Sequence, residues 1–204
     1  YYTIDGSEPN ENSNLYTEPF VINESSDVRT VAIKDGKKSN VVEGNFKKIA
    51  AGRTVKIENR YNSQYEAGGD IALIDFQRGS NNFRVGTWQG YHGVDLIATV
   101  DLSERQEVNR LAGSFLQDQK SWIFMPKQVE FFISNDGKNF KSIGVMKNTI
   151  SQETEEPVMH EFSIDKPFTA RYIKMVAKKI EACPDWHVGA GEPGWIFCDE
   201  IVIE

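Results

Sequence analysis

The sequence lacks clusters of basic residues and long apolar runs. It carries 23 lysines and arginines against 30 aspartates and glutamates, which gives a formal net charge of -7. A phosphate backbone requires concentrated positive charge, so nucleic-acid binding is excluded as a function. No apolar run approaches the roughly 18 residues needed to cross a bilayer, so membrane insertion is excluded as well.

Cysteine and histidine are also scarce. The chain has two cysteines and three histidines, and their spacing matches no zinc or redox motif. A nucleophile elbow and a phosphate-binding loop are absent too, which disfavours an independent enzyme. Because the sequence has neither an initiator Met nor a charged-then-apolar leader, we interpret it as a piece of a longer chain.

What the sequence does have is the pattern of β-strands. Short runs of Val, Ile, Thr, Phe and Tyr with a period of two are separated by Gly, Asn, Asp and Pro from end to end. Near the start, Val31 and Ile33 alternate with polar neighbours and are followed by Asp35-Gly36, a pair typical of hairpin turns. A small-residue joint at 49–53 precedes a new alternating strand that begins at Val55. We therefore predict two domains, 1–49 and 54–204.

The second domain carries enough strand signals for a larger β sandwich. Asp136-Gly137 predicts a tight hairpin, and Trp122 and Phe124, which alternate around Ile123, predict a core strand rather than a binding surface. The clearest strands are expected at 96–102, 129–133, 173–176 and 201–203. The predicted fold class is all-β, with a small β sandwich followed by a larger one.

Two stretches of the chain resemble known families. Residues 2–9 (YTIDGSEP), followed by Ser13, Tyr16, Pro19 and Asp35-Gly36-Lys37, resemble the small C-terminal β domain of bacterial chitobiases and β-N-acetylhexosaminidases. Further motifs resemble a discoidin-type domain, the galactose-binding-like jelly roll shared by family 32 carbohydrate-binding modules. They are Trp88-Gln89-Gly90-Tyr91, Asp95-Leu96, Val100-Asp101-Leu102, Phe115-Leu116-Gln117-Asp118, Ser134-Asn135-Asp136-Gly137 and Asp199-Glu200-Ile201.

This order of domains is similar to the tail of many family 20 glycoside hydrolases, in which a (β/α)8 barrel comes first. The resemblance implies an accessory region of an exported enzyme, in a periplasmic, cell-surface or secreted location, with the upstream catalytic domain and glycans as partners. A barrel of roughly 250 residues does not fit in this strand-rich chain, so we expect no hydrolase activity. Asp199-Glu200 looks like the adjacent acidic pair of that family. Neighbours in a regular strand face opposite ways, so these carboxylates are not expected to converge on one sugar.

Two loops carry the aromatic and polar residues that sugar recognition requires. The glycine- and proline-shaped segment 183–195 contains Trp186, His187 and Trp195, which form either a glycan platform or a packing contact with another domain. The segment 88–93 contains Gln89, Tyr91 and His92 as further candidate ligand contacts. Trp88 resembles a core Trp of the family and is assigned to packing.

Discoidin-like modules often hold a structural calcium ion, and the resemblance places its ligands here at Asp70, Asp75, Ser80 and Glu200. Carboxylate, hydroxyl and carbonyl oxygens suit calcium. The chain departs from the usual family pattern, however, because one loop carboxylate is missing and Arg78 stands nearby. Arg78 could therefore replace the ion by pairing with Glu200 or Asp75.

Cys183 and Cys198 flank the aromatic loop, and two interpretations stay open. An oxidised pair would staple the base of the loop and contribute about 3 kcal/mol, which an exported location would permit. Alternatively, both are reduced thiols that pack as small apolar side chains.

The expected function is that of a non-catalytic accessory region. The second domain would bind glycans of the terminal galactose or N-acetylhexosamine type weakly, without a required cofactor, and thereby hold the catalytic domain close to its substrate. The alternative is a purely structural brace for the barrel or its dimer.

Overall fold

The computed structural model describes all 204 residues. The chain forms two compact units, Tyr1–Ile49 and Ala50–Glu204. Strands make up nearly all of the regular structure, with three short 3-10 helices at Asp70–Ile74, Phe83–Val85 and Gln119–Ser121. None of these helices has the length and apolar character that crossing a membrane requires.

The first unit consists of short antiparallel strands. Its sheet has the order β1-β2-β5, and β3 and β4 form a separate ribbon. Asp35 and Gly36 connect β3 to β4 with φ angles of 51° and 73°, which confirms the predicted hairpin turn. The strands are β1 (Tyr2–Thr3), β2 (Ser26–Thr30), β3 (Ile33–Lys34), β4 (Lys37–Lys38) and β5 (Val42–Phe46).

The second unit is a two-sheet β sandwich, as the strand pattern predicted. One sheet has the order β11-β10-β13-β8-β6 and the other the order β12-β9-β14-β7. Its strands are β6 (Thr54–Ile57), β7 (Gln89–His92), β8 (Leu96–Val108), β9 (Leu111–Gln117), β10 (Gln128–Ser134), β11 (Lys141–Lys147), β12 (Val158–Ile164), β13 (Phe168–Lys178) and β14 (Trp195–Ile203).

The main core lies between the two sheets and follows directly from alternation. Leu96, Ala98, Val100 and Leu102 of β8 are all completely buried and belong to one apolar cluster. Burying each of the Leu and Val side chains stabilises a fold by about 1.5 to 3 kcal/mol. Asp136 and Gly137 turn the chain from β10 to β11, as predicted, with Gly137 at a φ of 69°.

The four-stranded sheet is covered on its other face too. Leu116 of β9 and Phe197 of β14 are paired across the ladder and point away from the main core. They pack instead in a second cluster with Phe83 and Trp88 from the long connection between β6 and β7. The connection therefore covers the outer face of this sheet. The candidate site lies along the connection.

Strand β14 contains one extra residue. Its register shifts between Cys198 and Glu200, so Asp199 has no partner on β9. The core-facing positions change parity at that point, from Ile196 and Cys198 to Ile201 and Ile203. Because of this β-bulge, the prediction that Asp199 and Glu200 face opposite ways was wrong, although both side chains are buried in the fold.

The predicted core strand at residues 122–124 is also wrong. Gln119–Ser121 forms a 3-10 helix that ends at Trp122, whose φ of 64° lies in the left-handed region. At this position the left-handed residue closes the helical turn, so no regular strand forms at 122–124. Phe124 is buried as expected, whereas Trp122 is half-buried.

Candidate ligand-binding groove

Two adjoining cavities run along the outer side of the four-stranded sheet, with volumes of about 460 and 270 Å³. Both are lined by Gln64, Tyr65, Phe83 and Arg84, so we treat them as one groove. The larger cavity extends along residues 63–68 towards Trp88. The smaller one is closed by Lys120, Ser121, Ile123, Trp195 and Phe197. We call this surface the aromatic groove.

The rings of the groove pack mainly edge to face. Tyr65 stands at 86° to Trp195 with 5.4 Å between ring centroids, and at 63° to Phe83 with 5.9 Å. Phe197 lies beneath them, 4.8 Å from Tyr65. Tyr65 and Trp195 are half-buried, whereas Phe83 and Phe197 are buried. The groove therefore offers partly exposed aromatic surface on a rigid base, which suits the C–H face of a pyranose.

Local backbone contacts hold Tyr65 in place. Its carbonyl accepts a hydrogen bond from Gly90 N–H at 3.0 Å, so the segment pairs with β7. A Cβ at Gly90 would lie 2.9 Å from Cβ of Tyr65 and 2.9 Å from the Phe197 ring. Glycine is therefore required there for Tyr65 to approach the sheet.

Phe83 and Arg84 are presented by a short capped turn. The Asn82 side chain accepts a hydrogen bond from Arg84 N–H at 3.1 Å, and Gly86 ends the 3-10 helix in the left-handed region. The guanidinium carbon of Arg84 lies 4.1 Å from the centroid of the Phe83 ring. This is a cation–π geometry in which the charge stays exposed.

Of the predicted ligand contacts, His92 and Trp195 are brought together beside the groove. Their rings lie 4.5 Å apart at 31°, on the paired strands β7 and β14. His92 Nε2 is 3.2 Å from the carbonyl oxygen of Pro193. Trp195 lines the groove directly, and exposed His92 extends its aromatic surface.

Gln89 and Tyr91, by contrast, are completely buried and cannot contact a ligand at the surface. Tyr91 OH donates to Oε1 of Gln89 at 2.7 Å, and Gln89 Nε2 donates to the Gly69 carbonyl at 2.6 Å. Burial raises the pKa of Tyr91 far above its usual range. These two residues tie the loop before β7 to the core, and their predicted role as ligand contacts was wrong.

Trp186 and His187 differ in their exposure to solvent. Trp186 is 46% exposed, but His187 is only 6% exposed. His187 Nδ1 accepts a hydrogen bond from Gly189 N–H at 3.0 Å, so Nε2 carries the proton and donates to the Gln119 carbonyl at 2.8 Å. His187 therefore has a structural role: it joins its loop to the 3-10 helix at Gln119–Ser121. Trp186 is a surface aromatic residue outside the groove.

Tyr65, Phe83, Arg84 and Lys120 were missed in the sequence. The available signal was the Gly-, Ser- and Asn-rich run around 79–86, which predicts a loop and carries an aromatic residue next to a cation. Only the three-dimensional structure places that loop against Trp195.

The predicted calcium ligands are not gathered in one place. Asp70 Oδ1 accepts hydrogen bonds from Arg60 and from the Tyr61 hydroxyl, both at 2.8 Å. Ser80 uses its carbonyl to accept from Trp88 Nε1 at 3.0 Å. The structure contains no group of three or more His, Cys, Asp or Glu side chains arranged to hold a metal ion.

Glu200 nevertheless lies near two other carboxylates, half-buried Asp75 and buried Asp199. Burial, with the charges of Asp75 and Asp199, raises the pKa of Glu200 to about 8, although Phe76 N–H donates to its Oε2 at 2.9 Å. Burial also raises the pKa of Asp75. Oε1 of Glu200 and Oδ1 of Asp199 are buried without a partner. Such oxygens fit a hard cation, so calcium at Glu200 stays a prediction, with Asp70 and Ser80 removed from its side-chain ligands.

Arg78 forms charged contacts that hold the loop, but its partners are not the predicted Glu200 and Asp75. Its Nε lies 3.2 Å from Asp199 Oδ2, and its Nη2 donates to Glu161 at 2.7 Å and to Ser114 Oγ at 2.9 Å. It therefore joins the loop to β9, β12 and β14 rather than pairing with Glu200 or Asp75. The outcome, a charged contact that fixes the loop, is the one expected of it.

Cys183 and Cys198 are both free and buried, so they do not form a disulfide in this structure. Cys198 belongs to the main core between the sheets, whereas Cys183 packs with Phe124 and Ile180 in a separate cluster. Burial raises the pKa of both thiols, which keeps them protonated and unreactive.

Comparisons with known proteins define the class of the second unit. The F5/8 type C domain family matches residues 55–196, and the chain belongs to this family. Its second unit is therefore a discoidin-type jelly roll. Residues 1–46 match the family described as Fn3 associated. No characterised protein in the curated set matches the chain.

Several solved structures resemble this chain at low sequence identity. The f-lectin from striped bass serum (Morone saxatilis) is 18% identical with a TM-score of 0.50, and the match covers 78% of this chain and 49% of the lectin. The first carbohydrate-binding module of a family 31 glycoside hydrolase from Clostridium perfringens is 14% identical with a TM-score of 0.48, covering 76% and 95%. The module CpGH89CBM32-5 from the same organism, solved with GalNAc-β-1,3-galactose, is 16% identical with a TM-score of 0.46, covering 74% and 94%.

Proposed function

We propose that the second unit is a non-catalytic carbohydrate-binding module and that the aromatic groove is its sugar site. The observation that supports this proposal is the pair of half-buried rings of Tyr65 and Trp195, which stand nearly at right angles to each other. They lie above buried Phe197 and beside the unpaired guanidinium of Arg84. Rings of this kind pack against a pyranose, and the guanidinium can bridge neighbouring hydroxyls.

The groove is shallow, so binding should be weak. Few direct hydrogen bonds and a small buried area suggest dissociation constants of roughly millimolar to high micromolar. Such a module is useful when it is tethered to an enzyme, since it raises the local concentration of substrate. We propose that the parent protein is an exported β-N-acetylhexosaminidase of glycoside hydrolase family 20, on the sequence resemblance given above. The chain itself should not hydrolyse chromogenic hexosaminides.

Titration with galactose, N-acetylglucosamine and chitobiose tests the sugar site. We expect saturable changes in Trp fluorescence and in the amide signals of Tyr65, Arg84 and Trp195, and loss of those changes in Trp195→Ala. The matched comparison is Trp186→Leu, which removes an exposed indole outside the groove. An equal loss from Trp186→Leu would move the site to that surface, and no response at tens of millimolar sugar would reject the function.

A brace role is the second candidate, and one observation favours it. Trp186 and its neighbour Val188 are 46% and 88% exposed, which is an apolar surface without a partner in this chain. A brace would bury them against the parent protein. Acrylamide quenching of the Trp186 signal, taken as the difference between wild type and Trp186→Phe, should then be much weaker in the parent protein than in the isolated chain.

A further inference from the structure

We propose that the aromatic groove prefers acidic sugars, namely pyranosides that carry a carboxylate or a sulfate ester, and that Arg84 binds the anionic group. This inference rests on the proposed sugar site and adds the class of its ligand. It is carried by the placement of charge around the smaller cavity.

Arg84 is a cation without a counter-ion. Arg78, Arg110 and Arg171 all form ion pairs with carboxylates, whereas the Arg84 guanidinium has no ion pair and no hydrogen bond within the chain. All five of its N–H donors are therefore available to a ligand. A planar guanidinium with free donors matches the two oxygens of a carboxylate or sulfate.

The side chain is also held in place before any ligand arrives. Its backbone is fixed by the Asn82 cap, and its guanidinium rests over the Phe83 ring at 4.1 Å. A group that is already ordered loses little conformational entropy on binding. The contact with Phe83 thus favours one position of the Arg84 guanidinium, beside the aromatic surface.

The smaller cavity has a positive lining in an acidic chain. Its lining includes Arg84 and Lys120 but no Asp or Glu, although the chain carries a net charge of -7. Lys120 Nζ lies 3.3 Å from Glu155, with both side chains more than half exposed, and such surface pairs are weak. The one acidic residue of the groove, Glu66, lines the larger cavity only.

The rest of the lining selects a sugar over other anions. Tyr65, Trp195 and Phe197 supply apolar surface next to the two cations, so a ligand must offer both an apolar face and a negative group. A pyranose with an acidic substituent has both. A polynucleotide would meet the excess negative charge of the remaining surface, which opposes binding.

Matched sugar pairs test the inference on the 204-residue chain. The pairs are galactose with galacturonic acid, and N-acetylglucosamine with N-acetylglucosamine 6-sulfate, titrated by amide shifts or calorimetry. We expect the acidic member to bind about tenfold more tightly in at least one pair, because a charge-assisted bidentate contact is added. The preference should shrink between about 50 and 500 mM salt, since screening weakens exposed charges.

Variants identify the residue responsible. Arg84→Gln should reduce the acidic-to-neutral affinity ratio from about ten to about one, and Arg84→Lys should restore part of it. The matched control is Arg105→Gln, another exposed arginine without an ion pair, which lies on β8 outside the groove and should leave the ratio unchanged. Thermal melting of each variant verifies that it is folded.

The outcomes separate the two proposals. Equal affinity for both members of each pair would overturn the acidic preference while leaving the sugar site intact. Equal effects of Arg84→Gln and Arg105→Gln would also overturn it, because the preference would then reflect overall charge. Absence of binding by all four sugars would reject the sugar site and this inference together.

Discussion

The backbone N–H of Gly79 donates a 2.6 Å hydrogen bond to Oδ2 of Asp199, which ties the loop between β6 and β7 to the bulge of β14. Arg78 reinforces the same junction through Asp199 and Glu161. Because Phe83, Arg84 and Trp88 follow directly along this loop, the junction determines where the aromatic groove lies. Its contacts are therefore the natural targets for mutation.

Glu161 should make the stability of the second unit depend on acidic pH. Burial would raise its pKa, but hydrogen bonds from Arg78 and Arg110 outweigh that effect and lower the pKa overall. A lowered folded-state pKa stabilises the fold above the unfolded pKa, and this stabilisation disappears as the pH falls through the folded value.

Glu161→Gln should accordingly lower the free energy of unfolding by about 1 to 2 kcal/mol at pH 7 and by much less near pH 3. Urea unfolding at the two pH values measures the difference. Glu153→Gln, at an exposed position with no ion pair, serves as the control and should have no comparable effect. A loss that is the same at both pH values would contradict the role of the charge.

Gly79→Ala should destabilise the protein, because a Cβ there would lie 2.2 Å from the Trp88 ring. Overpacking of this kind costs about 1 to 3 kcal/mol. Chemical denaturation followed by Trp fluorescence measures the cost, and Asn81→Ala, two residues away and exposed, should change stability by less than about 0.5 kcal/mol. A neutral Gly79→Ala would show that the loop can lift off Trp88 freely.

His187→Leu should cost about 1 to 2 kcal/mol, since it leaves the Gly189 N–H without a partner in a buried setting, whereas the Gln119 carbonyl still accepts from Trp122 N–H. Trp186→Leu, one residue earlier, should have a small effect because that ring is largely exposed. Thermal or urea unfolding of the two variants compares them directly. Equal losses would mean that Trp186 is as important to the loop as His187.

Calcium should raise the melting temperature if it binds at Glu200. An ion bound only by the folded state stabilises it by mass action. We expect an upward shift in millimolar calcium relative to chelator, loss of that shift in Glu200→Gln, and retention of it in Asp70→Asn, whose carboxylate is engaged with Arg60 and Tyr61. No shift in the wild type would reject the ion at this position.

The thiols should be reduced and structurally passive. Because Cys183 and Cys198 lie in separate apolar clusters, reductant should leave the melting temperature and the mass of the chain unchanged. Titration of thiols after unfolding should count both cysteines. A mass increase on reduction would show that a bridge forms after all.

Alternation predicted the architecture well where strands are regular. Leu96 to Leu102, and Val129 with Phe131, lie where their period of two placed them, because each faces a dry core on one side. Ile133, at the end of the same pattern, is only half-buried. The candidate site was less accessible to this reasoning. Gln89 and Tyr91 carry polar groups that look suited to a ligand, but they satisfy each other inside the fold. Burial of a polar pair leaves no periodic trace in a sequence.

The β-bulge of β14 shows a second place where strict alternation fails to predict which way side chains face. Strict alternation places Asp199 and Glu200 on opposite faces, yet both accept hydrogen bonds from the loop at 76–79. The change of parity between Cys198 and Ile201 was visible in the sequence as two consecutive acidic residues within an apolar strand. A charged pair within an apolar strand is therefore compatible with a β-bulge at that position.

The extra residue in β14 has an evolutionary consequence. Every other side chain of the strand keeps its face whether or not Asp199 is present, so a deletion of this single codon would leave a regular ladder and an intact sandwich. The loop would lose its contacts with Asp199 and keep those of Phe76 with Glu200 and of Arg78 with Glu161. A single inserted residue can therefore change how this loop is held without changing which side chains of the strand form the core.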